Sequence, residues 1–297
     1  MIKKGLTSIA VFFLYLISIL PFPVLYLIAD FVYLIIYYLI GYRRKVVQEN
    51  LRNSFPNKTE LERNHIEKEY YHYLADLILE TIKSFTISEE EIKKRMLLPN
   101  VALLTGYFNA DRNVLVAVAH YGNWEWGALI TSFITDHPRI IVYKPLHNKT
   151  FDGLFMRMRS KFGVTLVSMK NTLRKMVELR KSLSLSVFVS DQTPVREEVQ
   201  YFTSFLNQPT AVFMGVEKIA RLMDSVVVFA DIRRVKRGFY SCNFVTLVEH
   251  PQQTAEFEIT NAHVNYLDKV INEEPPYWLW SHRRWKFKPE DIKSNAN

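Results

Sequence analysis

The chain has 297 residues, 48 % of them hydrophobic and 14 % aromatic, with a formal net charge of +8 and a pI near 9.3. That apolar share excludes a disordered chain, and a single cysteine, Cys242, excludes an intrachain disulfide or a Cys-rich zinc site. The positive balance calls for an anionic partner: nucleic acid, an anionic membrane or an acidic carrier protein.

From Leu6 to Ile40 the sequence is apolar, with Asp30 as its only charge. Lys3 and Lys4 precede it, as in a secretory signal, but no small-residue cleavage site follows and the apolar character resumes after Pro21-Phe22-Pro23. It is read as a retained membrane segment. Basic residues flank both ends, with Arg43, Arg44 and Lys45 after it. Such flanks tend to stay cytoplasmic, which favours a re-entrant hairpin with the prolines near its tip. Each arm would then have roughly 15 residues, about 22 Å at helical rise, short of a full crossing. A single kinked span is the alternative.

A helical pattern follows from about Glu60 to Phe85, opened by a capping box at Thr59–Glu62, and Ser88-Glu89-Glu90-Glu91 opens a second short helix. Strands are then expected at Val114–Ala119, Arg139–Tyr143, Ser184–Ser190, Ser225–Asp231 and Tyr240–Leu247. Helices are expected at Asn123–Ile134, Lys149–Phe162, Asn171–Lys181, Thr210–Met223 and Thr254–Asn272. This alternation predicts an α/β fold, a mixed, mostly parallel sheet flanked by helices. The division is a hydrophobic segment over 1–45 and one large domain over 46–297.

Ligands of such folds gather beyond the carboxyl ends of the strands. There the sequence places His120 and Glu125, Lys144, and Asp191 with Gln192. His120 leaves the strand, Gly122 allows a sharp turn, and Asn123 is a plausible N-cap that puts Glu125 in the first helical turn. On one continuous helix five residues diverge by about 140°. Across a strand–turn–helix junction His120 and Glu125 can meet. Glu125 would hold one imidazole nitrogen and leave the other as a general base for an alcohol attacking a carbonyl. Backbone N–H groups at the helix start, or a nearby cation, would stabilise the oxyanion. A hydrogen-bonded structural histidine is the competing reading. A metal site is disfavoured, because His137 and His147 lack tight ligand spacing with it, and no nucleic-acid module is recognisable. Arg233–Arg237, followed by Gly238, reads as a hairpin turn. His282–Lys288, where basic and aromatic residues interleave, reads as a functional or membrane-contacting surface that includes Arg283 and Arg284.

The stretch AHYGNWEWGAL resembles the HX4(D/E) signature of the glycerolipid and lipid A acyltransferase superfamily. Three further blocks resemble the lipid A late-acyltransferase branch: VYKPLHNKTFDGLFMRMRSKFG, then VFVSDQTP with the stretch YFTSFLNQPTAVFMGVEKIAR, and EEPPYWLWSHRRWKFKPE. The resemblance implies a glycerolipid acyltransferase-like fold over 46–297 and fatty acyl transfer from acyl carrier protein, or acyl-CoA, to a hydroxyl of an anionic lipid precursor. It implies the cytoplasmic face of the bacterial inner membrane, and no metal or other cofactor. By position, His120 becomes the base and Glu125 its orienting partner. The basic residue of the second block falls on Lys144, with Arg157 or Arg159 able to replace it. Asp191 matches the acid of the third block, which either orients the site or acceptor or replaces Glu125 beside the histidine. Asn123, Arg283 and Arg284 are expected at the substrate. A lysophospholipid, aminolipid or pigment acceptor, or a non-catalytic membrane scaffold, are the rival readings.

Overall fold

A computed structural model describes residues 2–293, with side chains from 9 to 291. The side chains of Lys3 and Lys4 lie outside the described residues. Helix α1 spans Ile2–Ile19 and α2 spans Phe22–Leu34. Pro21 separates them in extended backbone, and Pro23 sits in the first turn of α2, where its missing N–H breaks no helical bond. A π turn over Ile35–Leu39 lengthens the second arm. Phe22–Leu39 is, among the described residues, the one helix long and apolar enough to cross a membrane by length and composition. One face of it buries Phe22, Leu25, Ala29 and Tyr33, while Leu27, Phe31 and Leu34 are exposed.

The buried face packs on α4 (Glu60–Lys83), reached through α3 (Arg44–Ser54). The capping box at the start of α4 is present: Glu62 N–H donates to Thr59 Oγ1, and Thr59 N–H donates to Glu62 Oε2. At the other end Lys83 Nζ donates to the carbonyls of Ser18 and Leu20, tying the end of α1 to the body. Then come α5 (Glu89–Arg95), capped by Ser88, a short β1 (Met96–Leu97) and α6 (Ala102–Asn109).

The rest alternates, with one strand, β4, that the sequence pattern does not anticipate: β2 Val114–Val118, α7 Trp124–Ile130, β3 Arg139–Tyr143, α8 Lys149–Ser160, β4 Thr165–Ser168, α9 Thr172–Glu178 and β5 Leu185–Val189. Two antiparallel strands follow, β6 Tyr201–Phe205 and β7 Gln208–Val212. The chain continues as α10 Gly215–Met223, β8 Val226–Lys236, β9 Phe239–Val248, α11 Glu258–Glu273 and a short α12 Pro289–Lys293. The main sheet has the order β1-β9-β8-β2-β5-β3-β4, parallel throughout except for the β8–β9 hairpin. This is the mixed, mostly parallel sheet flanked by helices. The helix expected at Thr210–Met223 is shorter, because Thr210–Val212 pairs with Tyr201–Thr203 as a strand before the helix begins. An apolar run of that length fits either element, and the pairing partner decides.

The run Arg233–Arg237 ends β8 and turns at Gly238 as anticipated. Its arginines are engaged in place: Arg233 with Asp231 and Glu273, Arg234 with Asp76, and Arg237 with Asp76 and Asp30.

Candidate active site

Strand β2 is buried along its whole length, and its neighbours are the parallel strands β5 and β8. In that register Val118 lies opposite Val189, so two residues further on His120 comes opposite Asp191. Adjacent strands run about 4.8 Å apart, close enough for their side chains to bond. His120 Nδ1–H donates to Asp191 Oδ1 at 2.7 Å, and the backbone N–H of His120 donates to Oδ2 of the same carboxylate at 3.0 Å. The Trp278 indole N–H also donates to Oδ2, at 2.9 Å. Burial pushes the Asp191 carboxyl up, but the His120 imidazole, its hydrogen bonds and the indole outweigh burial and hold it at about 2. An ionised Asp191 fixes the proton of His120 on Nδ1 and leaves the lone pair on Nε2. The Gln192 amide donates to that Nε2 at 3.2 Å.

The partner expected for His120 therefore needs correction. Glu125 is buried in the first turn of α7 and faces α8, where Arg159 clamps it with two bonds of 2.8 and 2.6 Å. The histidine leaves a strand and the glutamate enters a helix, so they point to different neighbours. Burial lowers the Arg159 pKa, but the Glu125 carboxylate outweighs it and the net shift is upward.

The turn between the two residues is shaped by Gly122, at φ +59°, where a Cβ would run into the Ile232 carbonyl oxygen. The segment around Trp278 straps it from outside: Gly122 N–H donates to Tyr277 O, and Leu279 N–H donates to His120 O. Asn123 caps α7, accepting from the Trp126 N–H at 3.0 Å, while its amide donates to Glu80. Asn123 is fully buried and both ends of its amide are used, so it serves the loop and has no face for a substrate.

Lys144 and Arg157 are exposed and make no ion pair among the described residues; Arg159 takes the partnered position instead. Arg283 is exposed on an open groove with Lys45, Trp285 and Lys286. Arg284 is 3 % exposed and donates to the Ala211 carbonyl, so the expectation that it meets a substrate at the surface is corrected: it is an interior residue. His282 Nε2 accepts from the Thr193 N–H, just beyond Gln192, which pins the C-terminal segment beside the site. The sequence pattern places Gln192 at the strand end without giving it a role, and it does not point to Trp278. For Gln192 the signal was its place next to Asp191 at a strand end; for Trp278 no local pattern gives the contact.

Beneath α7 lies a small apolar cavity of about 40 Å³, lined by Val116 and Val187 of the sheet, by Trp124, Ala128 and Ile134, and by Phe244. Trp124 joins it to the histidine, with ring centroids 5.0 Å apart in an edge-on arrangement.

Parallel strand ends that bring His120, Asp191 and Gln192 together define an α/β protein with a polar site at the carboxyl edge of its sheet. A family model described as bacterial lipid A biosynthesis acyltransferase matches residues 1–287. Among relatives, the lipid A biosynthesis lauroyltransferase of Escherichia coli K12 is 23 % identical over 293 residues, covering 98 % of this chain and 95 % of that one. The lipid A biosynthesis palmitoleoyltransferase of the same organism is 23 % identical over 276 residues, 91 % of this chain and 87 % of its own. A lipid A biosynthesis acyltransferase of Haemophilus influenzae is 25 % identical, over 92 % of this chain and 87 % of its own. The chain belongs to the bacterial lipid A biosynthesis acyltransferase family and is an acyltransferase.

Proposed function

We propose that this protein moves a fatty acyl group from acyl carrier protein to a hydroxyl of a lipid A precursor at the cytoplasmic face of the inner membrane. The observation that carries the reading is the His120–Asp191 pair at the strand ends, with Trp124 edge-on to the imidazole. The acceptor hydroxyl takes the place of the Gln192 amide at Nε2 of His120. The imidazole removes the proton as the oxygen attacks the thioester carbonyl. Asp191 stabilises the imidazolium that forms. The tetrahedral intermediate expels the carrier thiolate, which recovers the proton from His120. Arg159, held by Glu125, is the cation assigned to the developing oxyanion. The acyl chain is assigned to the apolar seam beneath α7, where the cavity of about 40 Å³ has to widen to take it.

The exposed apolar face of α2 and the basic groove around Arg283 support a membrane seat and an acidic donor. The segment 1–45 is the anchor in this reading, and 46–297 carries the chemistry. Acyl transfer to a purified lipid A precursor, with acyl carrier protein thioester compared with acyl-CoA, tests the donor. Lipid mass spectrometry of a deletion strain tests the acceptor: unchanged lipid A with an acyl group missing elsewhere rejects it. His120→Ala with intact folding and undiminished transfer rejects the base.

A further inference from the structure

Helix α4 grips the loop that carries His120. Tyr73 hydroxyl donates to the Gly122 carbonyl, and the Trp126 indole donates to the Glu80 main-chain carbonyl at 3.2 Å. The Glu80 side chain is 1 % exposed. Three donors converge on it: the Asn123 amide at 2.7 Å and the Tyr240 hydroxyl at 2.7 Å on Oε2, and the Tyr26 hydroxyl at 2.9 Å on Oε1. Tyr26 belongs to the apolar helix α2. Asn123 is the cap of α7, three residues beyond His120. A single carboxylate thus stands between the apolar helix and the catalytic loop. Phe22 of α2, edge-on to Trp126 of α7 with centroids 6.0 Å apart, is a second link between the same elements.

The two carboxyl oxygens of Glu80 between them accept from all three groups. A glutamine has one oxygen and would turn an NH2 toward one of the donors. Nothing in the acyl-transfer chemistry uses Glu80, since the loop backbone and Asn123 lie between it and the reacting atoms.

We propose that Glu80 is a positioning residue for acyl transfer: it fastens Asn123, and with it the His120 loop, to Tyr26 of α2, so that the apolar helix and the catalytic loop hold one geometry. This rests on the reading of His120 as the base.

The test uses the full-length protein in detergent–phospholipid micelles, with acyl carrier protein thioester and a lipid A precursor. Glu80→Gln is expected to lower kcat about tenfold or more, with both KM values within about twofold and the melting transition retained. Tyr26→Phe, which removes one hydroxyl and little packing, is expected to lower kcat about threefold or more by the same route. The proposal is overturned if both variants keep kcat within about twofold, or if the loss only follows the unfolded fraction. Should Glu80→Gln fail to fold, Tyr26→Phe decides by the same criteria. His120→Ala is run beside them. Retained transfer there removes the base and this proposal together, whereas an inactive His120→Ala with kcat unchanged in every folded variant of Glu80 and Tyr26 removes the proposal alone.

Discussion

Asp191 stands 71 residues beyond His120 and receives its Nδ1–H at 2.7 Å, while Glu125, five residues away, binds Arg159. The two acids of the site therefore have separate work. One orients the imidazole, and the other holds a cation.

Substituting each acid separates those tasks. Asp191→Asn removes the charge that steadies the imidazolium and allows the wrong tautomer, so kcat is expected to fall about a hundredfold or more with the fold intact. Glu125→Gln leaves Arg159 largely buried without its carboxylate, so destabilisation of about 3 kcal/mol is expected. Steady-state kinetics and denaturant unfolding on both variants check the division. Equal kinetic loss with equal stability loss in the two would contradict it.

The same pair predicts an acid response. The Asp191 carboxyl is held at about 2 in the fold, below its ordinary 3.8. Its contribution to stability is present above about pH 4 and fades as pH falls toward 2. Asp191→Asn should flatten that part of the stability profile. Chemical unfolding between pH 2 and pH 5 reads the difference.

Glu80 has the opposite sign. Burial, the largest influence, outweighs the bonds from Tyr240 and Tyr26, and the carboxyl is raised from 4.5 to about 7. The contribution of its neutral form is present below about pH 4.5 and is lost as pH rises through 7. Asp76, Arg234 and Arg95 are the charged neighbours of this cluster and are common to wild type and variant. Melting temperatures from pH 4.5 to 8 should therefore decline less in Glu80→Gln than in the wild type.

Ala128 borders the apolar cavity from α7. Enlarging it to leucine removes space without adding a charge. The expected outcome is a shift toward shorter acyl donors, seen when thioesters of different chain length compete in one reaction. An unaltered chain-length profile would place the acyl chain elsewhere.

Gly122→Ala should destabilise the protein by about 1–3 kcal/mol, since a side chain at φ +59° is strained and its Cβ meets the Ile232 carbonyl. Transfer activity should fall further than stability, because the strained turn is the one that aims His120. Thermal melting and kcat on the same preparation compare the two losses.

Much of this architecture was legible locally. Thr59 and Glu62 announced the start of α4, the apolar strand before His120 announced β2, and Gly122 with Asn123 announced the turn and cap. Each is an interaction between residues a few positions apart, where periodicity and capping chemistry act directly. The β6–β7 hairpin was not legible in the same way, since the run from Thr210 suits a helix until Tyr201–Thr203 is known to lie beside it.

The sequence by itself determined the alternation of elements, the apolar N-terminal arms and the set of polar residues at the strand ends. Only the tertiary structure decided which of those residues pair. Strand order placed β5 against β2 and so gave His120 to Asp191, while helix packing of α7 on α8 gave Glu125 to Arg159. Burial likewise took Arg284 inside and left Arg283 on the surface, though the two are adjacent in the chain. The physical reason is the range of the forces involved. Propensity and capping act over one turn of chain, whereas a hydrogen bond between strand ends depends on which strands become neighbours, and that is settled by burial of the whole sheet.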